Sequence, residues 1–268
     1  MHSLLALTMM HDRHLQCTPA AQTTTETFHQ YQSIALFNAR LAKPVQPSPA
    51  ESAALLVTAI ILGIMSFCRV EAKTPGDAWP LIPTSASDLA WIAMSEGKTQ
   101  LWKMTQPSTT ESRFAALVPP SAKGVVPKSS TMSELSVLPL ELVNMCGLDK
   151  VADNSNPYHA VAATLAKALD MAYISTLLSF LVLINNIPQE YKLLLKQKDP
   201  RALLLLAYWY AKLCEVELWW MRPRASLEGH AICVYLRRYH QDDSQLQSLM
   251  RDIWTGIREQ IPTPVSYC

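Results

Sequence analysis

The fold is decided by the stretch RALLLLAYWYAKLCEVELWW, Arg201–Trp220. It is as long as a membrane-spanning helix, and its first half is apolar on all sides. A spanning helix needs about 20 residues with few or no charges, and Lys212, Glu215 and Glu217 interrupt this one. A charge at the centre of a bilayer costs about 3 kcal/mol on insertion scales. We therefore interpret the stretch as a central helix of a protein core, and we expect no membrane span in the chain.

The remainder of the chain also has a helical character. It contains only seven glycines, and few of its segments alternate between apolar and polar residues as strands do. The sequence therefore predicts an all-α fold. The predicted helices cover His2–Leu15, Glu26–Lys43, Pro49–Val70, Asp88–Met104, Pro139–Cys146, Pro157–Asn185, Pro188–Lys196, Pro200–Trp220, Ser226–Tyr239 and Ser244–Gln260.

Local signals mark several helix ends. Asn156-Pro157 and Asp199-Pro200 each place a capping side chain before a proline at the first helical position. Ser87-Asp88 is a similar start without the proline. Gly147 is expected to end a helix, because glycine adopts the left-handed conformation that follows many helices.

One region interrupts the helical pattern. Residues 105–131 are rich in Pro, Ser and Thr and have no apolar period, so we expect a long flexible loop there, and a tail at residues 261–268. The long apolar helices on both sides of the loop need partners. We therefore expect residues 1–268 to form a single multi-helix domain around an apolar pocket.

Composition argues against several classes of protein. The net charge is +1 and no dense basic run is present, so direct contact with nucleic acid is not expected. The six cysteines show no zinc-binding spacing, and most lie in apolar helical surroundings typical of free thiols inside cells. The segment Leu4–Met10 is too short for a signal peptide. We expect an intracellular protein, in cytoplasm or nucleus, without a metal or cofactor.

Aromatic side chains are the first candidates for a binding site. Trp91 is one, and the others lie in or beside the deciding stretch. An apolar pocket walled by aromatic rings would suit a sterol or terpenoid, but stripes of such rings more often pack a core. The candidates from the deciding stretch are Tyr208, Trp209, Tyr210, Trp219 and Trp220.

The predicted helix Pro157–Asn185 supplies the second set of candidates. His159, Asp170 and Tyr173 recur at helical spacing and share a face with small alanines, which would leave room for a ligand with one hydroxyl or carbonyl. The same three residues are the candidates for catalysis. The alternative for Asp170 is an ion pair with Lys167, three residues before it, on a solvated strip.

His11 and His14 also attract attention. They are three residues apart on one predicted helix and so can meet. A metal site needs further ligands, and the sequence identifies none, so we interpret the pair as part of a solvated or partly packed helix face.

A family resemblance rests on an ordered set of motifs. The strongest is NNIPQEYKLLLKQKDPRALLLLAYWYAKLCEVELWW, Asn185–Trp220. The chain resembles the C-terminal regulatory domain of fungal zinc-cluster transcription factors of the sterol-uptake-regulator type. The supporting motifs are MHSLLALTMMHDRHL (Met1–Leu15), YQSIALFNARL (Tyr31–Leu41), DLAWIAMSEGKTQLW (Asp88–Trp102) and NPYHAVAATLAKAL (Asn156–Leu169).

The resemblance implies an all-helical domain with a pocket for a hydrophobic small molecule. In that family DNA is read by a separate N-terminal zinc cluster, which has no counterpart in this sequence. A glycine-rich stretch expected after Trp220 is replaced by Met221–Ala225, and the usual terminal Trp-Pro reads Trp254-Thr255. The resemblance therefore implies ligand binding without a direct route to DNA, and an altered pocket rim.

Two functions remain open at this stage. The first is a binder of a terpenoid- or sterol-like molecule that acts through a protein partner or as a homodimer, in fungal secondary metabolism. The second is a cofactor-free cyclase of the Diels–Alderase or pericyclase type. Such a cyclase would need only to hold a polyene or terpenoid in a reactive geometry, which removes several kcal/mol of barrier.

Overall fold

The structure is a computed structural model of the whole chain. It describes residues 1–16, 21–43, 47–83, 85, 88–94, 101, 135–148, 156–170, 187–216 and 218–258. Every long regular element among these residues is an α-helix, which confirms the all-α prediction. The predicted loop at 105–131 and the predicted tail at 261–268 lie outside the described residues.

Nine α-helices and one short 3-10 turn are described. The turn covers Pro75–Asp77. The helices are α1 (His2–Leu15), α2 (Thr24–Leu41), α3 (Pro49–Cys68), α4 (Leu140–Met145), α5 (His159–Asp170), α6 (Gln189–Lys196), α7 (Pro200–Glu215), α8 (Arg222–Tyr239) and α9 (Ser244–Arg258).

Two predicted helix boundaries differ from the structure by four residues or more, whereas ends such as those of α2 and α3 differ by at most two. The deciding stretch was expected to be helical to Trp220, but α7 ends at Glu215 because Val216 is extended, with φ −90° and ψ 116°. The next helix was expected from Ser226, but α8 begins at Arg222 and carries Pro223 in its first turn. Proline is well tolerated there, because the first backbone N–H groups of a helix have no partner within the helix.

The described residues divide into two compact units. The first contains Met1–Arg69 and the described residues within Leu89–Leu117. The second contains Val70–Asp88 and the described residues within Val118–Pro262. The single domain expected from the sequence stays a prediction.

The first unit contains α1, α2 and α3, which pack on one another. The start of α3 is fixed by a capping box, in which the Ser48 hydroxyl accepts from the Glu51 N–H and the Glu51 carboxylate accepts from the Ser48 N–H. Arg40 of α2 donates to the same carboxylate over 3.1 Å, and these bonds lower the pKa of Glu51 to about 2. Another charged pair, Arg13–Glu26 at 2.8 Å, joins α1 to α2.

Helix α3 is long and apolar enough to cross a membrane by length and composition, with a mean hydropathy of 2.0. It is the one helix of this kind in the described parts of the chain. Core helices of water-soluble proteins have the same properties, and α3 packs against α1 and α2 and buries side chains that include Leu55, Leu62 and Phe67. We interpret it as the apolar helix of the first unit.

The second unit is arranged around α7. This helix packs on α5, α6, α8 and α9, and α8 also packs on α9 and on the 3-10 turn. Side chains from Ala202 to Leu206 are buried on every side of α7. The prediction that Arg201–Trp220 contains a central core helix is therefore confirmed for Pro200–Glu215.

The start of α7 is set by Asp199, as the sequence predicts. One Asp199 carboxylate oxygen accepts from the backbone N–H groups of Arg201 and Ala202, at 3.1 and 2.9 Å, and also from the Tyr158 hydroxyl at 3.0 Å. Two of the other three predicted signals are also observed, although α5 begins at His159 and not at Pro157; the capping residue of the third, Ser87, lies outside the described residues. Asn156 accepts from the Tyr158 N–H at 2.9 Å, and Gly147 ends α4 with a left-handed φ of 62°.

Replacing Asp199 with alanine is expected to destabilise the protein by about 2–4 kcal/mol. The change removes a helix cap, which contributes about 1 kcal/mol, and leaves the partly buried Tyr158 hydroxyl without its acceptor, which costs a further 1–3 kcal/mol or so. Urea denaturation followed by circular dichroism measures the loss. Asp199→Asn is the control, since it keeps a capping oxygen; a loss equal to that of alanine would contradict this account.

Candidate functional site

The site lies in the second unit, on α7, α8 and the segment that follows the 3-10 turn. Helix α7 contributes Tyr210 from its buried face, and α8 contributes Arg224 and Glu228, one helical turn apart. Glycine at position 229 lets the two helices approach closely. A Cβ atom there would lie 2.8 Å from Ile257 Cδ1 on α9 and 3.3 Å from Tyr210 Cβ on α7, so a larger residue would displace the Ile257 side chain and crowd Tyr210.

A polar cluster is buried in this apolar core. The Tyr210 hydroxyl donates to Glu228 Oε2 over 2.5 Å. The Arg224 guanidinium pairs with Glu228 Oε1. The exposed fractions of Arg224 and Glu228 are only 7% and 5%, and that of Tyr210 is 0%. We call Tyr210, Arg224 and Glu228 the buried acid cluster.

Burial dominates the electrostatics of the buried acid cluster. It raises the pKa of Glu228 above its ordinary value, while the charge of Arg224 and the hydrogen bonds from Tyr210 and Arg224 act in the opposite direction. The pKa of Tyr210 is raised well above its ordinary value, first by burial and then by the negative charge of Glu228. A carboxyl group that holds its proton more readily than usual can donate it to a bound molecule.

The second polar feature is Trp79. Its side chain is buried, and its indole N–H has no hydrogen-bond acceptor among the described residues. Leaving such a donor unpaired costs about 1–3 kcal/mol. The segment that carries it is held by Lys198, whose ammonium group donates to the carbonyl oxygens of Pro80 and Ile82 at 2.7 and 2.8 Å. The arrangement therefore offers a fixed donor to an acceptor oxygen.

A further pair of phenols lies in the same unit. Tyr158 donates to Asp199 at 3.0 Å, and Tyr191 donates to the Ala202 carbonyl at 2.8 Å. Burial is the main cause that raises the pKa of each phenol. Both hydroxyls are therefore un-ionised near neutral pH, and both help to fix the start of α7.

The sequence-predicted aromatic residues do not form one group. Trp91 belongs to the first unit, where its ring meets Phe67 edge-on at 5.2 Å. Trp209 is almost fully buried beside the Tyr210 ring, at 5.3 Å, and its neighbour Tyr208 is half-buried. Trp219 and Trp220 follow the end of α7; Trp219 is half-buried and Trp220 is buried.

The candidates from α5 are described only in part. His159 is the first residue of α5 and is half-buried, while Ala163 and Ala166 on the same predicted face are buried. The backbone of Asp170 ends α5, but its side chain lies outside the described residues, as does Tyr173. Their roles in binding or catalysis stay predictions.

The buried acid cluster was missed by sequence reasoning. Tyr210 was considered only as an aromatic wall, and Arg224 only as part of the stretch Met221–Ala225 that replaces a glycine-rich segment. The signal that was present is the spacing of Arg224 and Glu228, four residues apart, next to the small residues Ala225 and Gly229. A charged pair surrounded by small residues indicates a helix face that is closely packed.

Metal ligands are sparse in the described part of the chain, where no group of three or more His, Cys, Asp or Glu side chains is placed to hold a metal ion. Three cysteines in the second unit are buried, and burial raises the pKa of each thiol to about 12. They are therefore protonated and unreactive near neutral pH. These cysteines are Cys146, Cys214 and Cys233.

Comparison with known proteins adds no family assignment. No protein-family model matches the chain, and no match is found among curated proteins or solved structures.

Proposed function

We propose that the protein binds a hydrophobic small molecule of the terpenoid or sterol class in its second unit. The observation that carries this proposal is the buried Trp79 N–H, which lacks an acceptor among the described residues. A mostly apolar molecule with one hydroxyl or carbonyl oxygen supplies that acceptor and otherwise requires only apolar contact. Specificity for such a molecule comes from a few placed polar groups in an apolar lining.

The surroundings in the second unit suit this chemistry. Helix α7 contributes aromatic rings, and α5 contributes the small buried side chains Ala162, Ala163 and Ala166. The resemblance to the regulatory domain of sterol-responsive transcription factors points to the same ligand class. In this proposal the ligand-bound protein acts inside the cell through a protein partner or a second copy, in secondary metabolism.

Trp79→Phe is expected to weaken binding of a hydroxylated sterol such as ergosterol by about 2- to 12-fold, the range that follows from the loss of one hydrogen bond. The matching saturated sterane, which has no oxygen, should bind the variant and the unchanged protein equally. Both affinities can be measured by fluorescence titration with the lipid delivered from cyclodextrin.

Trp254→Phe is the control, because this half-buried tryptophan contacts His230 and Arg237 instead. Equal weakening of sterol and sterane binding in Trp79→Phe would assign the residue to packing alone. Failure of the unchanged protein to bind any member of a sterol and terpenoid panel would overturn the proposed function.

A second candidate function is a cofactor-free cyclase of the Diels–Alderase or pericyclase type. The observation that favours it is the raised pKa of Glu228, hydrogen-bonded to Tyr210 inside an apolar core. When Glu228 binds a proton, its carboxyl group can donate to a substrate carbonyl and stabilise the negative charge that grows there. This candidate predicts that the protein converts more than one equivalent of a linear terpenoid or polyene. The Glu228→Gln variant should lose this turnover. Binding without turnover would exclude it.

A further inference from the structure

Two histidines on different helices of the first unit meet at an unusually short distance. His2 begins α1, and His29 lies on α2. Their Nδ1 atoms are 2.7 Å apart, and their ring centroids are 5.0 Å apart. Both side chains are half-buried. Since 27 residues separate them, only the packing of α1 on α2 brings the two rings together.

We propose that His2 and His29 form a two-histidine site for a divalent copper ion, which links α1 to α2. Imidazole nitrogen is a good ligand for copper, zinc and nickel. In the metal-free pair, one Nδ1 carries a proton and donates it to the lone pair of the other. In the copper form both Nδ1 lone pairs bind the ion. The proton of the donor ring moves to its Nε2, so that both rings stay neutral.

The short distance between the two nitrogens favours copper over zinc. With metal–nitrogen bonds of about 2.0–2.1 Å, two ligands at a right angle lie about 2.8–3.0 Å apart, as in tetragonal copper sites. Two ligands of a tetrahedral zinc ion lie about 3.3–3.4 Å apart. The observed 2.7 Å is the length of a hydrogen bond and is shorter than both separations, so the two nitrogens must move apart by ~0.1–0.3 Å to bind copper and by ~0.6–0.7 Å to bind zinc.

The two imidazoles are covered on one side by Phe28 and partly exposed to solvent on the other. The ring of Phe28 meets both imidazoles edge-on, at 6.0 Å from His2 and 5.4 Å from His29, and is itself half-exposed. This covers one side of the pair and limits the movement of both rings. The half-exposed positions leave space for water as the remaining ligands of a tetragonal ion.

The test is a titration of the full chain with Cu(II), followed by calorimetry and by electron paramagnetic resonance. For this titration the protein is produced with a short Gly-Ser extension at its N-terminus, so that the α-amino group is not next to His2. We expect one bound ion per chain with two nitrogen ligands. Affinity should fall by at least about tenfold in His2→Ala and in His29→Ala. His29→Gln keeps a polar side chain of similar size and serves if the alanine variant does not fold.

His14→Ala is the matched control, because His14 lies on the same helix α1, three residues after His11, and is exposed. Its copper affinity should equal that of the unchanged protein. Copper should also raise the melting temperature of the protein, and that rise should disappear in His29→Ala, because an ion bound only to the folded state stabilises it. Unchanged affinity in the His2 and His29 variants, or loss of affinity in His14→Ala, would overturn the proposal.

Discussion

Replacing Arg224 with methionine should destabilise the protein by about 3–5 kcal/mol, because it leaves the buried carboxylate of Glu228 without its positive partner. Methionine fills much of the space of the arginine side chain, so the loss reports charge more than volume. Urea denaturation followed by circular dichroism gives the free energy of unfolding.

The informative control replaces the whole buried acid cluster. Arg224→Met, Glu228→Leu and Tyr210→Phe together remove both charges and the phenol, so that no polar side chain of the buried acid cluster is left without its partner in the cluster. Replacing a complete buried ion pair by apolar residues of similar volume is often neutral or stabilising. We therefore expect the triple variant to be about as stable as the unchanged protein. A triple variant as unstable as Arg224→Met alone would contradict this interpretation.

The loss in Arg224→Met should also depend on pH. Burial raises the pKa of Glu228 in the folded state above its value in the unfolded state. The folded protein therefore binds this proton more readily, and the contribution of Glu228 to stability is greatest at low pH and declines as the pH rises through its folded-state pKa. Without Arg224 the pKa of Glu228 rises further, so this pH dependence is larger. The variant should therefore lose less stability near about pH 5 than near about pH 8.

The second large effect is expected at Trp209. Its side chain is 1% exposed and lies beside the Tyr210 ring, so Trp209→Ala should lower the free energy of unfolding by about 3–5 kcal/mol. The sequence left open whether this tryptophan lines a pocket or fills the core, and its burial favours the core. The same denaturation experiment measures the loss.

Tyr208→Ala provides the comparison for Trp209. Tyr208 is the adjacent residue on α7, is half-buried, and lies 3.5 Å from the Leu249 carbonyl oxygen through its hydroxyl. Less apolar surface is lost there, so its substitution should cost clearly less. Equal losses at the two positions, or a loss below about 1 kcal/mol at Trp209, would show that Trp209 is not a core residue.

Helix starts were predicted well where the signal is local. Asp199 and Asn156 accept hydrogen bonds from backbone N–H groups two or three residues later, so their neighbours in sequence suffice to identify them. The end of α7 was not predicted. Val216 is extended although the apolar pattern continues to Trp220, and the hydrophobic period carries no information about that change in backbone direction.

The candidate site was predicted only in its general character. Aromatic rings and small residues in the second unit were expected from their spacing along single helices. The contacts Tyr210–Glu228 and Lys198–Pro80 join residues 18 and 118 positions apart, and His2–His29 joins residues 27 positions apart. Such contacts depend on which helices pack together, which no local pattern in the sequence specifies.

The most direct test of ligand binding uses the purified protein and an extract of cells that lack its gene. The protein is incubated with the extract, separated from unbound molecules and analysed by native mass spectrometry, with heat-unfolded protein as the control. The account predicts one equivalent of a largely apolar, oxygen-containing metabolite on the folded protein and none on the unfolded control. A folded protein that retains no metabolite from the extract would contradict it.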